Sequence, residues 1–182
     1  LILKEKIRET ISNVPAFDGI EESHKREIIR WIDSGADLIR RGKDNYPLRH
    51  LIVYIALFDE EQRSILMTDH IKANLILPAG GHVDPGELPL DTVIREIKEE
   101  MNITADFGTP FRDNLFFVSI TDIKSTPAHE DVSLWYILKG EVGQGIDLEK
   151  REMTDCKGMT LDEILDTDIE RLGPQPRRFI KK

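Results

Sequence analysis

The sequence predicts an α+β fold, a mixed β-sheet with helices on its faces. Three observations predict it. Two stretches of helical apolar period precede the first β-branched run. Strand-like runs then lead through a glycine-rich loop into one amphipathic helix. Further strands and a last helix follow.

In chain order, residues 4–12 and 21–41 read as helices, separated by Pro15 and Gly19. The second carries Ile28, Ile29, Trp31, Ile32, Leu38 and Ile39 among charges, close to helical period. Gly42 to Pro47 reads as a loop. The expected organisation is therefore an N-terminal helical extension, 1–47, packed on a domain of residues 48–182. His50 to Phe58 is a strand of β-branched and apolar residues, and Ser64 to Thr68 returns after a turn at 59–62. Asn74 to Leu77 is a short strand running into Pro78-Ala79-Gly80-Gly81. A helix starts near Pro89, a residue suited to a first helical position. Leu88 is then a poor N-cap, which Asp91 offsets from the positive first turn. Leu115 to Thr121 and Val132 to Leu138 are the next strands, and Leu161 to Leu165 begins a final helix.

Composition narrows the function. The 182 residues carry a net charge of −9, with 40% apolar and 32% charged residues. That supports a real core and argues against a nucleic-acid or membrane-surface partner. No apolar run approaches the ~18 residues that span a bilayer. Leu1-Ile2-Leu3 is too short for a signal-peptide core. Cys156, the single cysteine, forms no internal disulfide and points to a reducing compartment, so a cytoplasmic protein is expected.

The chemistry concentrates in one stretch. Gly81-His82-Val83-Asp84-Pro85-Gly86-Glu87 is followed by Arg95-Glu96-Ile97-Lys98-Glu99-Glu100-Met101-Asn102-Ile103. At ~100° per residue, Leu90, Ile94, Ile97 and Met101 form an apolar stripe with Val93 at its edge. Glu96, Glu99 and Glu100 fall on a separate face at spacing i, i+3, i+4. Carboxylates so placed repel by roughly 0.2–0.5 kcal/mol per pair on an exposed helix, and a bound cation reverses that sign. Hard oxygen ligands of this kind suit Mg2+ or Mn2+. Arg95, one turn before Glu99, can pair with it, and Glu87 can reach Arg95; both are expected to position the acids. Gly80-Gly81 lets the backbone approach a ligand, and the Gly80 carbonyl is a candidate metal ligand.

This spacing resembles the signature box of the Nudix hydrolase family, with Asn102 where the family has Gly and Ala79 where it usually has Pro. Asn is the best non-glycine residue for the left-handed position expected there. The resemblance implies a Nudix-type α/β/α sandwich and divalent-metal-dependent hydrolysis of a phosphoanhydride in a nucleoside diphosphate linked to another group. It also implies one further acid from a distant loop. Glu152 stands at about that place, with Glu130, Asp131, Asp147 and Glu149 as rivals and an ordinary loop carboxylate as the plain alternative.

Glu99 and Glu100 are the expected metal ligands, and Glu96 is a ligand or the general base. His70, Lys72 and His82 border the glycine loop and are weaker candidates for substrate contact. His24, His50 and His129 read as structural or exposed, Trp31 as a packing residue, and one of Trp135 and Tyr136 as core-facing. A small (d)NTP-type nucleotide is the expected substrate, with a nucleotide sugar or ADP-ribose the alternative. A non-catalytic nucleotide-binding module is a reading of another class, disfavoured because every box acid is kept. The N-terminal helices leave a homodimer open.

Overall fold

The computed structural model describes residues 2–42, 46–70, 74–142 and 153–182. Helix α1 (Ile2–Ser12) buries Ile7 and Ile11, and α2 (Gly19–Asp33) buries Ile28 and Ile32. Asp18 opens α2 by accepting the Glu21 N–H at 2.7 Å, which satisfies a donor that the helix leaves free. The helix does not run to residue 41 as the apolar period suggested. Ser34 caps it, and Gly35 turns the chain at φ +80°, a conformation that costs only glycine little. Leu38 is nonetheless buried, in non-helical chain, and its carbonyl accepts the Leu51 N–H at 2.8 Å.

The strands are β1 (Arg49–Asp59), β2 (Ser64–His70), β3 (Leu75–Leu77), β4 (Ala79–His82), β5 (Phe117–Ile123), β6 (His129–Lys139) and β7 (Met153–Thr160). Their order is β3-β2-β1-β6-β5, with β4 on β1 and β7 on β2. Helix α3 (Pro89–Met101) lies between β4 and β5 in sequence, and α4 (Leu161–Asp166), α5 (Ile169–Leu172) and α6 (Pro174–Lys181) end the chain. This is the α+β class with a mixed sheet that the element order predicts. Strands β4 and β7 were not expected from sequence. No helix among the described residues is long and apolar enough to cross a membrane.

The chain divides into two compact units. The first comprises Leu1–Tyr54, Gly81–Val93 and Asn114–Tyr136. In it β5 and β6 pair antiparallel, Phe117 opposite Trp135 and Ile123 opposite His129. Trp135 and Tyr136 are both buried, so β6 is covered on both faces rather than one. The Trp135 indole donates to Ser119 Oγ at 3.0 Å. Helix α2 docks on β5 through polar groups. Glu21 is fully buried and accepts the Val118 N–H at 3.2 Å and the Phe17 N–H at 2.7 Å. Arg49 forks onto Glu130 at 2.7 and 2.9 Å, reaches Glu27 at 2.6 Å, and lies 5.9 Å from the Trp31 ring centroid.

The second unit comprises Ile55–Gly80, Ile94–Asp113 and Ile137–Lys182. Here β7 runs antiparallel along β2, with Leu66 opposite Gly158 and Thr68 opposite Cys156. Helix α4 opens on a capping box: Thr160 Oγ1 accepts the Glu163 N–H at 3.2 Å, and Glu163 accepts the Thr160 N–H at 2.7 Å.

Candidate active site

Helix α3 begins at Pro89, as the sequence indicates. Leu88 is a weak cap by residue type, and its N–H is held instead by Asp91 Oδ2 at 3.1 Å. The preceding Glu87 accepts the Thr92 hydroxyl at 2.9 Å. The helix buries Val93, Ile97 and Met101 as expected, but its inward row is turned away from Leu90 and Ile94. Ile94 is 46% exposed, whereas Pro89, Thr92, Val93, Ile97 and Met101 are buried. Residues four apart from Pro89 to Met101 drift only slightly around the helix, so they form the real inward row. Thr92, Glu96 and Glu100 make the row beside it.

That rotation changes how the acids sit. The Glu96 side chain is only 13% exposed, Glu99 is 58% exposed, and Glu100 is intermediate. Arg95 Nη1 donates to Glu96 Oε1 at 2.7 Å and to Glu99 Oε2 at 3.2 Å. One guanidinium nitrogen therefore spans two of the three carboxylates; the contact with Glu99 is the expected one, and that with Glu96 was not foreseen. After the helix, Asn102 takes φ +53°, the left-handed conformation anticipated for it, and its side-chain oxygen accepts from Lys98 Nζ at 2.9 Å.

Gly80 lies within β4 and is half-buried, so the start of the glycine loop is strand rather than open loop. His82 closes that strand. Arg40 Nη1 lies 2.8 Å from His82 Nε2, and an arginine can only donate, so this nitrogen accepts. Burial first, and then the Arg40 charge, push the imidazole down to about 4, so His82 is neutral at pH 7. His70 ends β2 opposite Leu75, and its side chain lies outside the described residues, as do Lys72 and Glu152. Of the rivals to Glu152, Glu130 is held by Arg49, and Asp147 and Glu149 also lie outside the described residues.

Asp131, the remaining rival, belongs to a cluster that residue-by-residue reading passed over. It sits 3.3 Å from His50 Nε2 and 3.6 Å from His129 Nε2. The His50 ring centroid is 5.1 Å from that of His82. The available signal was alternation: His129 and Asp131 are two apart on one strand and so share a face.

Residues 48–182 match the family model of the NUDIX domain. Over 116 residues the chain is 33% identical to a Lactococcus lactis subsp. cremoris protein described as a probable DHNTP pyrophosphohydrolase, covering 63% of this chain and 68% of that one. The E. coli dihydroneopterin triphosphate pyrophosphohydrolase is similar in structure, with a TM-score of 0.56 and 14% identity, covering 80% of this chain and 96% of that one. A C. elegans Ap4A hydrolase gives 0.56 at 18% identity, covering 72% and 92%. At such identities these two likenesses speak to fold. With a family match that takes in the whole loop and helix just described, the chain belongs to the NUDIX domain family and is a Nudix pyrophosphohydrolase.

Proposed function

We propose that the chain hydrolyses a phosphoanhydride in a small nucleoside-triphosphate-type substrate, with dihydroneopterin triphosphate, a pterin relative of that class, the first compound to test. The substrate class is supported by the description of the 33%-identical relative as a probable DHNTP pyrophosphohydrolase. The chemistry is supported by one observation above all: Arg95 holds Glu96 and Glu99 together on α3, beside a half-buried Glu100.

The donors that Glu96, Glu99 and Glu100 offer are all hard oxygens. That set fits Mg2+ or Mn2+. We assign Glu99 and Glu100 as ligands, with the Gly80 carbonyl and Glu152 completing the set, and Glu96 as a further ligand or the general base. The ion, when bound, neutralises phosphate charge and makes a bound water more acidic. Arg95 fixes the orientation of two acids, Glu96 and Glu99, relative to each other. Whichever glutamate serves as base accepts the proton of the attacking water. Glu87 positions the turn into α3 through Thr92. His82, neutral, is suited to hydrogen bonding with substrate rather than to charge pairing, and His70 and Lys72 are assigned to the same task. Residues 1–47 are read as an extension to the family domain, open to a homodimer role, in a cytoplasmic protein without nucleic-acid or membrane partners.

The test is a panel of pterin and nucleoside triphosphates, ADP-ribose and nucleotide sugars with Mg2+ or Mn2+, with products read by mass. Release of pyrophosphate or phosphate from a triphosphate supports the reading. Cleavage confined to ADP-ribose or a nucleotide sugar would replace it. Glu99→Gln combined with Glu100→Gln is expected to abolish turnover.

A further inference from the structure

Away from the carboxylates of α3, the first unit gathers three imidazoles and one carboxylate. His50 lies at the start of β1, His82 at the end of β4, and His129 and Asp131 at the start of β6. Alternation along β6 puts His129 and Asp131 on one face and Glu130, held by Arg49, on the other. One ligand atom from each of His50, His82 and Asp131 lies within 4.8 Å of the other two. The His129 ring stacks on His50 at 5.3 Å.

The tautomers follow from the partners. His50 Nδ1 is 2.9 Å from the Pro47 carbonyl, and His129 Nδ1 is 3.3 Å from the Pro127 carbonyl. A carbonyl only accepts, so each Nδ1 carries a hydrogen, and in the neutral ring each Nε2 then presents a lone pair. Ser125 Oγ, 3.0 Å from His129 Nδ1, gives its own hydrogen to Pro127 and so agrees with this assignment. Both lone pairs then meet the same atom, Asp131 Oδ1, at 3.3 and 3.6 Å. His50 is fully buried, and neither its Nε2 nor Asp131 Oδ1 has a hydrogen-bond partner among the described residues. Acceptors this close in a buried place repel unless a proton or a metal cation lies among them. A 3.3 Å separation also matches the edge of a tetrahedron with ~2.0–2.1 Å bonds, roughly 3.3–3.4 Å. A bond from Nδ1–H to a carbonyl is how metal-binding histidines fix ring and tautomer.

We propose that His50, His82 and Asp131, with His129 Nε2 beside the shared carboxylate oxygen, form a second cation site of zinc type, separate in residues and chemistry from the acids of α3. Imidazole with a single carboxylate favours a borderline transition ion such as Zn2+ over Mg2+. A bound ion would pin β1, β4 and β6 together in the first unit and anchor the strand that enters the glycine loop. Arg40 is its competitor. Its Nη1 occupies His82 Nε2, while its Nε is held by the Gly42 carbonyl at 2.9 Å. An ion that takes His82 Nε2 would have to displace the guanidinium from it.

The site stands or falls apart from the substrate reading. Zn2+ is titrated against a chromophoric chelator into the full chain carrying Glu99→Gln and Glu100→Gln, so that the α3 acids are disabled. One equivalent is expected to bind, undisturbed by a large excess of Mg2+. Long-range 1H–15N spectra of that chain are expected to show Nε2 of His50 and His129 shifting while both Nδ1–H signals persist. Asp131→Asn should weaken Zn2+ binding about a hundredfold. Arg40→Gln should tighten it about tenfold, by removing a like charge beside His82. The proposal is overturned if no Zn2+ binds, if Asp131→Asn binds it as the parent does, or if the His50 Nε2 signal does not move when zinc is added. The spectra are taken on a chain with this cluster intact, so a variant that fails to fold leaves them decisive.

Discussion

Thr92 Oγ1 donates to Glu87 Oε2 at 2.9 Å, tying the last residue of the glycine loop to the first turn of α3. Thr92 is fully buried, and its other acceptor, the Leu88 carbonyl, is more distant at 3.4 Å. Thr92→Val keeps the shape and deletes the donor. We expect kcat to fall about tenfold with KM little changed, because the loss is one of orientation. Thr92→Ser should recover most of the rate. Steady-state kinetics on the three chains check this; full kcat in the valine variant would mean that Glu87 needs no such hold.

Arg95 could act by charge or by orientation, and the two make opposite forecasts. If it only neutralises Glu96 and Glu99, Arg95→Gln should strengthen Mg2+ activation and leave the rate intact. If it positions them, kcat at saturating Mg2+ should drop about 10- to 100-fold even though the ion binds no worse. The 2.7 and 3.2 Å contacts from one nitrogen favour the second outcome. Measuring kcat across a Mg2+ series separates them.

How much of this was readable beforehand depended on whether a feature is local. The acids of α3 and the left-handed Asn102 follow from spacing within one helix and its end, so the sequence sufficed. The buried stripe did not follow, because Leu90-Ile94 and Pro89-Val93 offer two overlapping apolar rows. Only packing chooses between them, leaving Ile94 exposed. Helix α2 was overextended for a related reason: Leu38 is buried, and burial looks the same in a helix or in chain beside a strand. β7 has a weak strand pattern and owes its form to pairing with β2. The imidazole cluster was the least legible, since His50, His82 and His129 meet only after β1, β4 and β6 are assembled.

Asp59, at the end of β1, sets an acid limit on stability. Its carboxylate accepts the Gln62 N–H at 2.9 Å, the Val142 N–H at 3.0 Å and the Gln62 side-chain amide at 3.1 Å. The backbone bonds from Gln62 and then Val142 hold its pKa below the ordinary carboxylate value. A group depressed on folding stabilises the fold above its unfolded pKa, about 3.9, and that contribution is lost as pH falls through the folded value. Asp59→Asn should therefore lower the melting temperature by a few degrees at pH 7. The deficit should shrink below about pH 4, where the unfolded chain takes up the proton first, and vanish once the folded parent is protonated too. Thermal melts at several pH values test this, and a deficit constant down to strong acid would rule out the charge as its source.

Gly140 offers a test of packing in the second unit. Its N–H donates to the Phe58 carbonyl at 3.1 Å, so the backbone is pinned against β1. A Cβ added there would lie 2.5 Å from Leu57 Cδ1 and 2.9 Å from Cγ. Leu57 is buried and has little room to turn aside. Gly140→Ala should cost about 1–3 kcal/mol by overpacking. At this chain length each kcal/mol corresponds to roughly 2–4 °C of melting temperature. Leu57→Ala alone should cost about 2–5 kcal/mol by leaving a cavity. Combined, the two changes relieve each other, since the new methyl enters the space vacated by the leucine. The double variant should then be more stable than the sum of the single losses implies, by an interaction of about 0.5–3 kcal/mol. Strict additivity in denaturant or thermal unfolding would show that the backbone near Gly140 moves away instead, and that the close approach to Leu57 does not constrain this position.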